Sequence, residues 1–458
     1  MKQINLEKAI GTSKFNRFHF WLIFWGFVII LFDGYDIVIY GTVVPVLIDE
    51  WGLSSVEAGA MGSYGLFGML FGAILLGMLA DRVGKKKVMI LSIFLFSLFT
   101  FLCGFSSTPT EFSVFRFLAG LGLGGIMPNV IALCTEYAPA RLRSVIVSVV
   151  LVAYSIGGML APIFGLTLMP NFGWEMLFWV AGLPLLLIPV IYKKVPESSA
   201  YLLQKGKKDE VVEILSKIDD KMDLSGDIEF TTNDDVQSKV PIVGLFKNKR
   251  AASTLLFWVT YFMSLLMVYG LNTWLPNLMI EAGYALNSSL AFLLILQGGS
   301  IVGTIVVARL SLKYDLRIML TILYAIGAFA IALLGFGGST MYIYLLVGIA
   351  GASSIGAQHL IQAYVSQYYP PSVRSTALGI ASGIGRFGGM LGPTLGGVLL
   401  AADLQIQFNF LAFAIPGVFA ALALGLVSGK RAYGKNEADE RNHPEEETEA
   451  IEAVPVNE

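Results

Sequence analysis

Twelve apolar stretches of bilayer length, separated by short polar loops, leave this chain very few folds to adopt. A backbone in hydrocarbon must satisfy its own N–H and C=O groups, so a run of about 20 apolar residues crosses as an α-helix. The stretches fall at 18–46, 56–80, 88–107, 110–135, 144–168 and 174–192, then at 252–279, 288–310, 317–337, 340–366, 374–401 and 406–428. Only 14% of the residues are charged and 55% are hydrophobic, against about 25% charged in an average soluble domain. The sequence thus predicts an all-α membrane protein of twelve transmembrane helices. The first run is too long for a signal-peptide core and no small-residue cleavage site follows it, so it reads as the first span.

The polar segments divide the chain. A basic leader covers residues 1–17, a first set of six spans 18–192, a polar linker 193–250, a second set of six 251–429, and an acidic tail 430–458 that is expected to be disordered. The linker holds an amphipathic piece near Ala200–Ile218. Of the 31 basic residues, only Arg116 and Arg386 lie inside spans away from their ends, and the loops near 47–56, 107–111, 169–175, 280–288, 338–340 and 402–406 have none. The positive-inside rule then puts both termini in the cytoplasm of a multi-pass cell-membrane protein.

The two sets of spans repeat. Shifted by 231 residues, Tyr137–Gly165 falls on Tyr368–Gly396 without a gap and with 10 identities in 29 positions, among them Pro and Arg. Two pseudo-symmetric six-helix halves follow, with a binding site between them near mid-membrane. Cys103 and Cys134 both sit in apolar spans and read as small buried hydrophobes; no metal or cofactor is expected. The net charge of −2 and the lack of a basic patch with interleaved aromatics exclude a nucleic-acid role.

The chemistry lies in the few polar groups inside spans. Asp33 and Asp36 stand in the middle of the first run as DGYD, and a carboxylate at that depth costs ~2.5–3.5 kcal/mol. At i and i+3 they share a helix face, and two like charges so close raise at least one pKa, which suits proton coupling. The plainer reading has both carboxylates satisfied by Ser or Tyr of neighbouring helices. Arg116 needs a carboxylate partner, with Asp33 and Asp36 both in reach, either as a fixed ion pair or as a cation that tunes a proton-carrying Asp. Glu136, with Arg141 and Arg143, reads as a charge network at the inner end. Arg386, in an otherwise apolar helix of a half with no acid inside a span, offers a planar fork for a carboxylate. His359 and Gln362, with Gln358, form a polar stripe at helical spacing, and Tyr35, Trp274 and Asn272 are candidate contacts to a ring.

The first inner loop, GMLADRVGKKK from Gly77 to Lys87, resembles the loop signature of the major facilitator superfamily. That resemblance implies a lock in which Asp81, beside Arg82, faces the start of the eleventh span near Arg374; the matching loop of the second half has Leu312 in place of the Asp. DGYD, GLGLGGIMPN followed by EYAPARLRS, WLPNLM and GIGRFGGMLGP together resemble the aromatic acid:proton symporter family within the superfamily. The likeness covers residues ~18–428. It implies import of a benzoate- or hydroxybenzoate-like carboxylate with protons by alternating access, without enzymatic chemistry, in a protein whose partners are the acid, protons and the lipid bilayer, working as a monomer. It also implies that Asp33, Asp36, Arg116, Glu136 and Arg386 serve coupling and transport. Two alternatives keep the fold: proton-coupled drug efflux, suggested by the imperfect Gly-Pro signature GGMLAPIFG with Ala161 where that signature has Gly, and import of a non-aromatic organic acid or sugar.

Overall fold

The structure is a computed structural model that describes residues 2–219, 222, 228–231, 242–247, 249–311 and 313–432. Long helices follow one another almost without pause: α1 (Arg17–Trp51), α2 (Ser55–Val83), α3 (Lys85–Cys103), α4 (Pro109–Glu136), α5 (Arg143–Thr167) and α6 (Glu175–Lys194), then α7 (Ala251–Glu281), α8 (Leu286–Leu310), α9 (Leu316–Leu334), α10 (Thr340–Tyr368), α11 (Pro371–Ala401) and α12 (Ile406–Leu426). Eleven of them are long and apolar enough to cross a membrane. The other is α11, at 31 residues the equal of α7 in length; its many glycines and Arg386 dilute its hydropathy.

Local signals set the helix starts. Asn16 and His19 form a capping box at the head of α1, and Ser54 and Glu57 do the same for α2. Two helices differ from the expected continuous spans. The sixth breaks between Val180 and Leu183, just ahead of Pro184. The tenth carries a π-helical turn at Ala352–Gly356, where a run of small residues removes the side-chain packing that holds a regular ladder.

The repeat seen in the sequence is also a repeat of contacts. A Cβ at Gly157 of α5 would stand 1.8 Å from the Leu31 carbonyl oxygen of α1, and one at Gly388 of α11 would stand 2.1 Å from that of Phe262 of α7. Likewise Gly68 of α2 meets the Phe117 carbonyl of α4, and Gly299 of α8 meets the Gly348 carbonyl of α10. In both cases the second contact is the first moved on by 231 residues. The two halves thus use the same close helix crossings, possible only where no side chain intervenes.

Between the halves the packing is lopsided. The face that carries the chain's basic loops is called the basic face here. Toward the opposite face the halves are in tight contact: Ser63 Oγ of α2 donates to the Met390 carbonyl of α11 at 2.6 Å and lies 2.7 Å from Thr394 Oγ1. Gly41 of α1 presses on the Asn272 carbonyl of α7, and Ser300 Oγ of α8 donates to Ser155 Oγ of α5 at 2.8 Å. Gly379, Gly383, Arg386, Met390, Pro393 and Gly397 recur every three or four residues along one stripe of α11. Its far end packs on α2, with Gly397 against Ser55, while a Cβ at Gly379 or Gly383 would meet nothing within 4 Å. The interior therefore opens toward the basic face.

The leader and linker meet on that face. Lys2–Asn5 pairs in parallel with Ile228–Thr231, and Asn16 Nδ2 donates to the carbonyls of Lys217 and Ile218 at 2.8 and 2.9 Å. The helix Lys208–Ile218 buries Val211, Ile214, Leu215 and Ile218, the apolar side of the amphipathic piece. Leu312 and residues 433–458 lie outside the described residues. The tail expected to be disordered runs over 430–458, and its start is held, with a helical turn at Gly429–Arg431 and Arg250 Nε donating to the Arg431 carbonyl at 2.9 Å.

Candidate functional site

A cavity of about 100 Å³ lies between the halves, walled by α1, α2, α4 and α5 on one side and α7, α10 and α11 on the other. Asp33, Tyr154, Tyr269, His359, Gln362 and Arg386 supply its polar groups, set among Leu and Met side chains. Its volume is of the same order as the ~150 Å³ apolar cavity that takes up benzene, so nothing much larger than one ring fits without the walls moving apart.

Asp33 is 1% exposed and its Oδ1 has no hydrogen-bond partner. It lies at the cavity wall on α1. Arg386 of the other half donates from Nη1 to the Met69 carbonyl of α2 at 2.9 Å, bridging the halves at the level of the cavity. That oxygen already belongs to a helical ladder, so the guanidinium keeps donors for a stronger, anionic acceptor. The His359 ring meets Tyr154 edge-on with centroids 6.3 Å apart, and its Nδ1 is 3.5 Å from Thr304 Oγ1, too far to hold it firmly. Gln358 also lines the cavity, from the turn just after the π-helical segment.

The two aspartates have different neighbours. Three residues rotate a helix by about 300°, which leaves the carboxylates ~60° apart around α1. Asp36 faces away from the cavity: Arg116 Nη1 meets its Oδ2 at 2.9 Å and Thr100 Oγ1 donates to its Oδ1 at 2.5 Å. The Tyr40 ring lies 5.9 Å from the guanidinium, and the pair is all but sealed from solvent. Arg116 and Asp36 form a closed ion pair in this geometry, and of the two aspartates only Asp33 lines the cavity with an oxygen that has no partner.

Of the other sequence-derived candidates, Tyr35, Trp274 and Asn272 lie outside the cavity wall. Tyr35 donates its hydroxyl to the Leu177 carbonyl at 2.8 Å, Trp274 Nε1 donates to the Pro393 carbonyl at 2.7 Å, and Asn272 Nδ2 donates to Val268 of its own helix. Glu136 pairs with Lys85 at 3.0 Å and accepts from Ser198 and Ser199 of the linker, while Arg141 and Arg143 are exposed. Asp81 and Arg82 are exposed as well, and among the described residues no ion pair joins them to Arg374. With the basic face open, the two ends of that lock stand apart.

Three contributors escaped the sequence reading. Ser382 lines the cavity one turn before Arg386, and the i, i+4 rule identifies it once Arg386 is singled out. Thr100 and Glu197 left no such signal. Glu197 accepts from the Lys86 backbone N–H at 2.9 Å and so caps α3, whose own N-cap, Gly84, offers no side chain.

The chain matches the family model of the Major Facilitator Superfamily over residues 26–360 and 328–455. The chain belongs to the Major Facilitator Superfamily. It is a membrane transporter and not an enzyme. It is 45% identical over 439 residues to a benzoate transport protein of Acinetobacter baylyi, a match covering 94% of each chain. It is 36% identical to a gentisate transporter of Corynebacterium glutamicum, over 89% of this chain and 86% of that one. It is 31% identical to a 4-hydroxybenzoate transporter of Pseudomonas aeruginosa, over 93% and 97%. Among solved structures, the xylose transporter XylE of E. coli in a partially occluded inward-open conformation superimposes with a TM-score of 0.71 at 18% identity, covering 90% of this chain and 100% of that one. The benzoate and 4-hydroxybenzoate transporters among these relatives support the aromatic acid branch that the motifs of this facilitator resemble.

Proposed function

We propose that this protein imports a monoanionic, single-ring aromatic carboxylate together with one proton, by alternating access across the cell membrane. The observation that carries the reading is the cavity itself. It puts one unpaired carboxylate, Asp33, and one guanidinium with donors to spare, Arg386, on opposite halves around a space the size of one ring. The benzoate, gentisate and 4-hydroxybenzoate transporters among its relatives support the choice of substrate class.

Charge counting supplies the coupling. Closing the cavity on a net charge in low dielectric is expensive, so neutral contents close most easily. The empty cavity is neutral when Asp33 is ionised beside Arg386. With a bound carboxylate it is neutral only when Asp33 holds a proton. Loaded without the proton, or empty with it, the site carries one net charge and resists closure. One acid anion and one proton then move together, with no net charge transferred. Asp36 and Arg116 cancel each other throughout and stay out of the count.

In the state described here the basic face is taken as cytoplasmic, with both termini on that side, and the cavity opens inward. Arg386 then rests on the Met69 carbonyl, and an arriving carboxylate displaces it. Tyr154 and Tyr269 flank the ring, and His359 and Gln362 are within reach of ring substituents. Asp81 and Arg374 close the inner lock in the opposite state. The cavity is complete within one chain, which suits a monomer. The experiment is uptake of labelled benzoate into proteoliposomes. An imposed inward proton gradient drives accumulation, and a voltage imposed alone does not. Accumulation driven by voltage alone overturns one-to-one coupling, and no saturable uptake of any aromatic acid overturns the reading.

A further inference from the structure

One buried side chain of the outer seam, Gln297 of α8, has no role in the mechanism above. It is 0% exposed, and neither Nε2 nor Oε1 has a hydrogen-bond partner. A primary amide offers two donors and an acceptor, and burial with none of them satisfied is among the more costly arrangements in a protein. The amide lies against Gly158 of α5, one turn outward of the cavity residue Tyr154. A Cβ at residue 158 would stand 1.9 Å from its Nε2, 2.9 Å from its Cδ and 3.1 Å from Val38 Cγ2. The contact is between halves, and it exists only while the outer end is shut.

We propose that Gln297 is a state-setting residue of the transport cycle. Pressed on Gly158 without partners, its amide penalises the closed outer seam, and once α5 and α8 part, water in the outward-facing cavity satisfies it. The stranded amide thereby returns the empty carrier toward the face from which it loads. Gly158 is the matching half of the device, since a side chain there must push the amide aside before the seam shuts. Seam closure otherwise rests on contacts that are satisfied, such as Ser300 to Ser155. The Gln297 amide, with neither of its polar atoms satisfied, works against closure. The inference rests on the alternating-access reading and goes beyond it.

A reporter in the same seam tests this. Leu290 of α8 is fully buried, and its Cδ1 lies 3.1 Å from where a Cβ on Gly165 of α5 would stand. In cells expressing Leu290→Cys, a membrane-impermeant maleimide added outside, with no substrate present, reads how often the seam opens; the parent chain, with its buried Cys103 and Cys134, gives the background. Gly158→Ala should raise the labelling rate roughly five- to tenfold, and Gln297→Leu, which removes the penalty, should lower it by a similar factor. Gly158→Ala with Gln297→Ala should bring the rate back down to that of the reporter alone or below it, because the clash and the stranded amide are both gone. An unchanged rate in Gly158→Ala, or no reversion in the double variant, overturns the proposal. If Gly158→Ala does not reach the membrane, the Gln297→Leu arm decides: an unaltered rate refutes it. Labelling needs no substrate, so failure here leaves the aromatic acid assignment standing, and failure of benzoate uptake leaves the seam result standing.

Discussion

Asp36→Asn should act on stability, whereas Asp33→Asn should act on coupling. Asp36 is fully buried, bound to Arg116 Nη1 at 2.9 Å and to Thr100 Oγ1 at 2.5 Å. Removing its charge leaves the guanidinium of Arg116 uncompensated, with Nε already lacking a partner. Breaking one side of a buried pair costs about 3–5 kcal/mol, while replacing both partners by apolar groups of similar size is close to neutral. For a chain of this size that translates into a fall in Tm on the order of 3–5 °C for the single variant. Asp36→Leu with Arg116→Met should recover most of it. The assay is thermal unfolding of the purified protein in detergent, followed by tryptophan fluorescence, beside benzoate counterflow in liposomes. The Asp33→Asn variant should unfold no earlier than the parent, because the lost carboxylate oxygen was unpaired. It should keep exchange of labelled for unlabelled benzoate and lose accumulation under a proton gradient. An Asp36→Asn protein as stable as its parent but uncoupled would refute this division of labour between the two aspartates.

Three further outcomes follow from the same geometry. Arg386→Lys keeps the charge and loses the fork, so the half-saturation concentration for benzoate should rise roughly tenfold or more, read from initial rates of uptake; an unchanged value removes Arg386 from the substrate site. His359→Ala should lower uptake of 4-hydroxybenzoate more than that of benzoate, since only the former carries a ring hydroxyl for the imidazole, and equal effects on both acids end that assignment. Trp274→Phe removes the hydrogen bond to the Pro393 carbonyl that braces α7 on α11; it should lower the Tm by about 1 °C, at about 1 kcal/mol for the bond, with the preference among aromatic acids unaltered in competition assays.

The number and order of the long helices were legible from apolar run length alone, because hydrocarbon tolerates no other way of satisfying a backbone. The repeat was legible too, from Tyr137–Gly165 on Tyr368–Gly396. What the pattern could not convey is direction at a finer grain than one helix face. Asp33 and Asp36 share a face by spacing, yet the 60° between them, by the ~100° per residue of a helix, sends one to the cavity and the other to Arg116. Tyr35, Trp274 and Asn272 carry the right chemistry for a ring, but each spends its donor on a backbone carbonyl away from the cavity, which only the packed bundle reveals. The same holds for Glu136: Arg141 and Arg143 are close in sequence, and the charge that reaches it is Lys85, from the start of another helix.

The repeat also explains how a two-fold scaffold yields a site with two opposite poles. Moved on by 231 positions, Asp33 of α1 corresponds to Ser264 of α7, and Ser155 of α5 corresponds to Arg386 of α11. Ser264 accepts from the Tyr324 hydroxyl at 2.8 Å within its own half, and Ser155 accepts from Ser300 across the outer seam. Each half therefore has one charged position facing the cavity and a small hydroxyl residue at the position equivalent to the other half's charge. Had both halves kept a carboxylate, the empty cavity could not have closed without taking up a proton, and a bound anion would have met no cation. Had both kept an arginine, the acid would bind and nothing would link it to a proton. With one of each, the closed cavity is neutral both empty and with acid plus proton, and it is charged when either comes alone. Coupling in this protein is thus a property of the pair and of the difference between the halves, and a chain with Asp33 made neutral should still bind the acid and exchange it across the membrane without accumulating it.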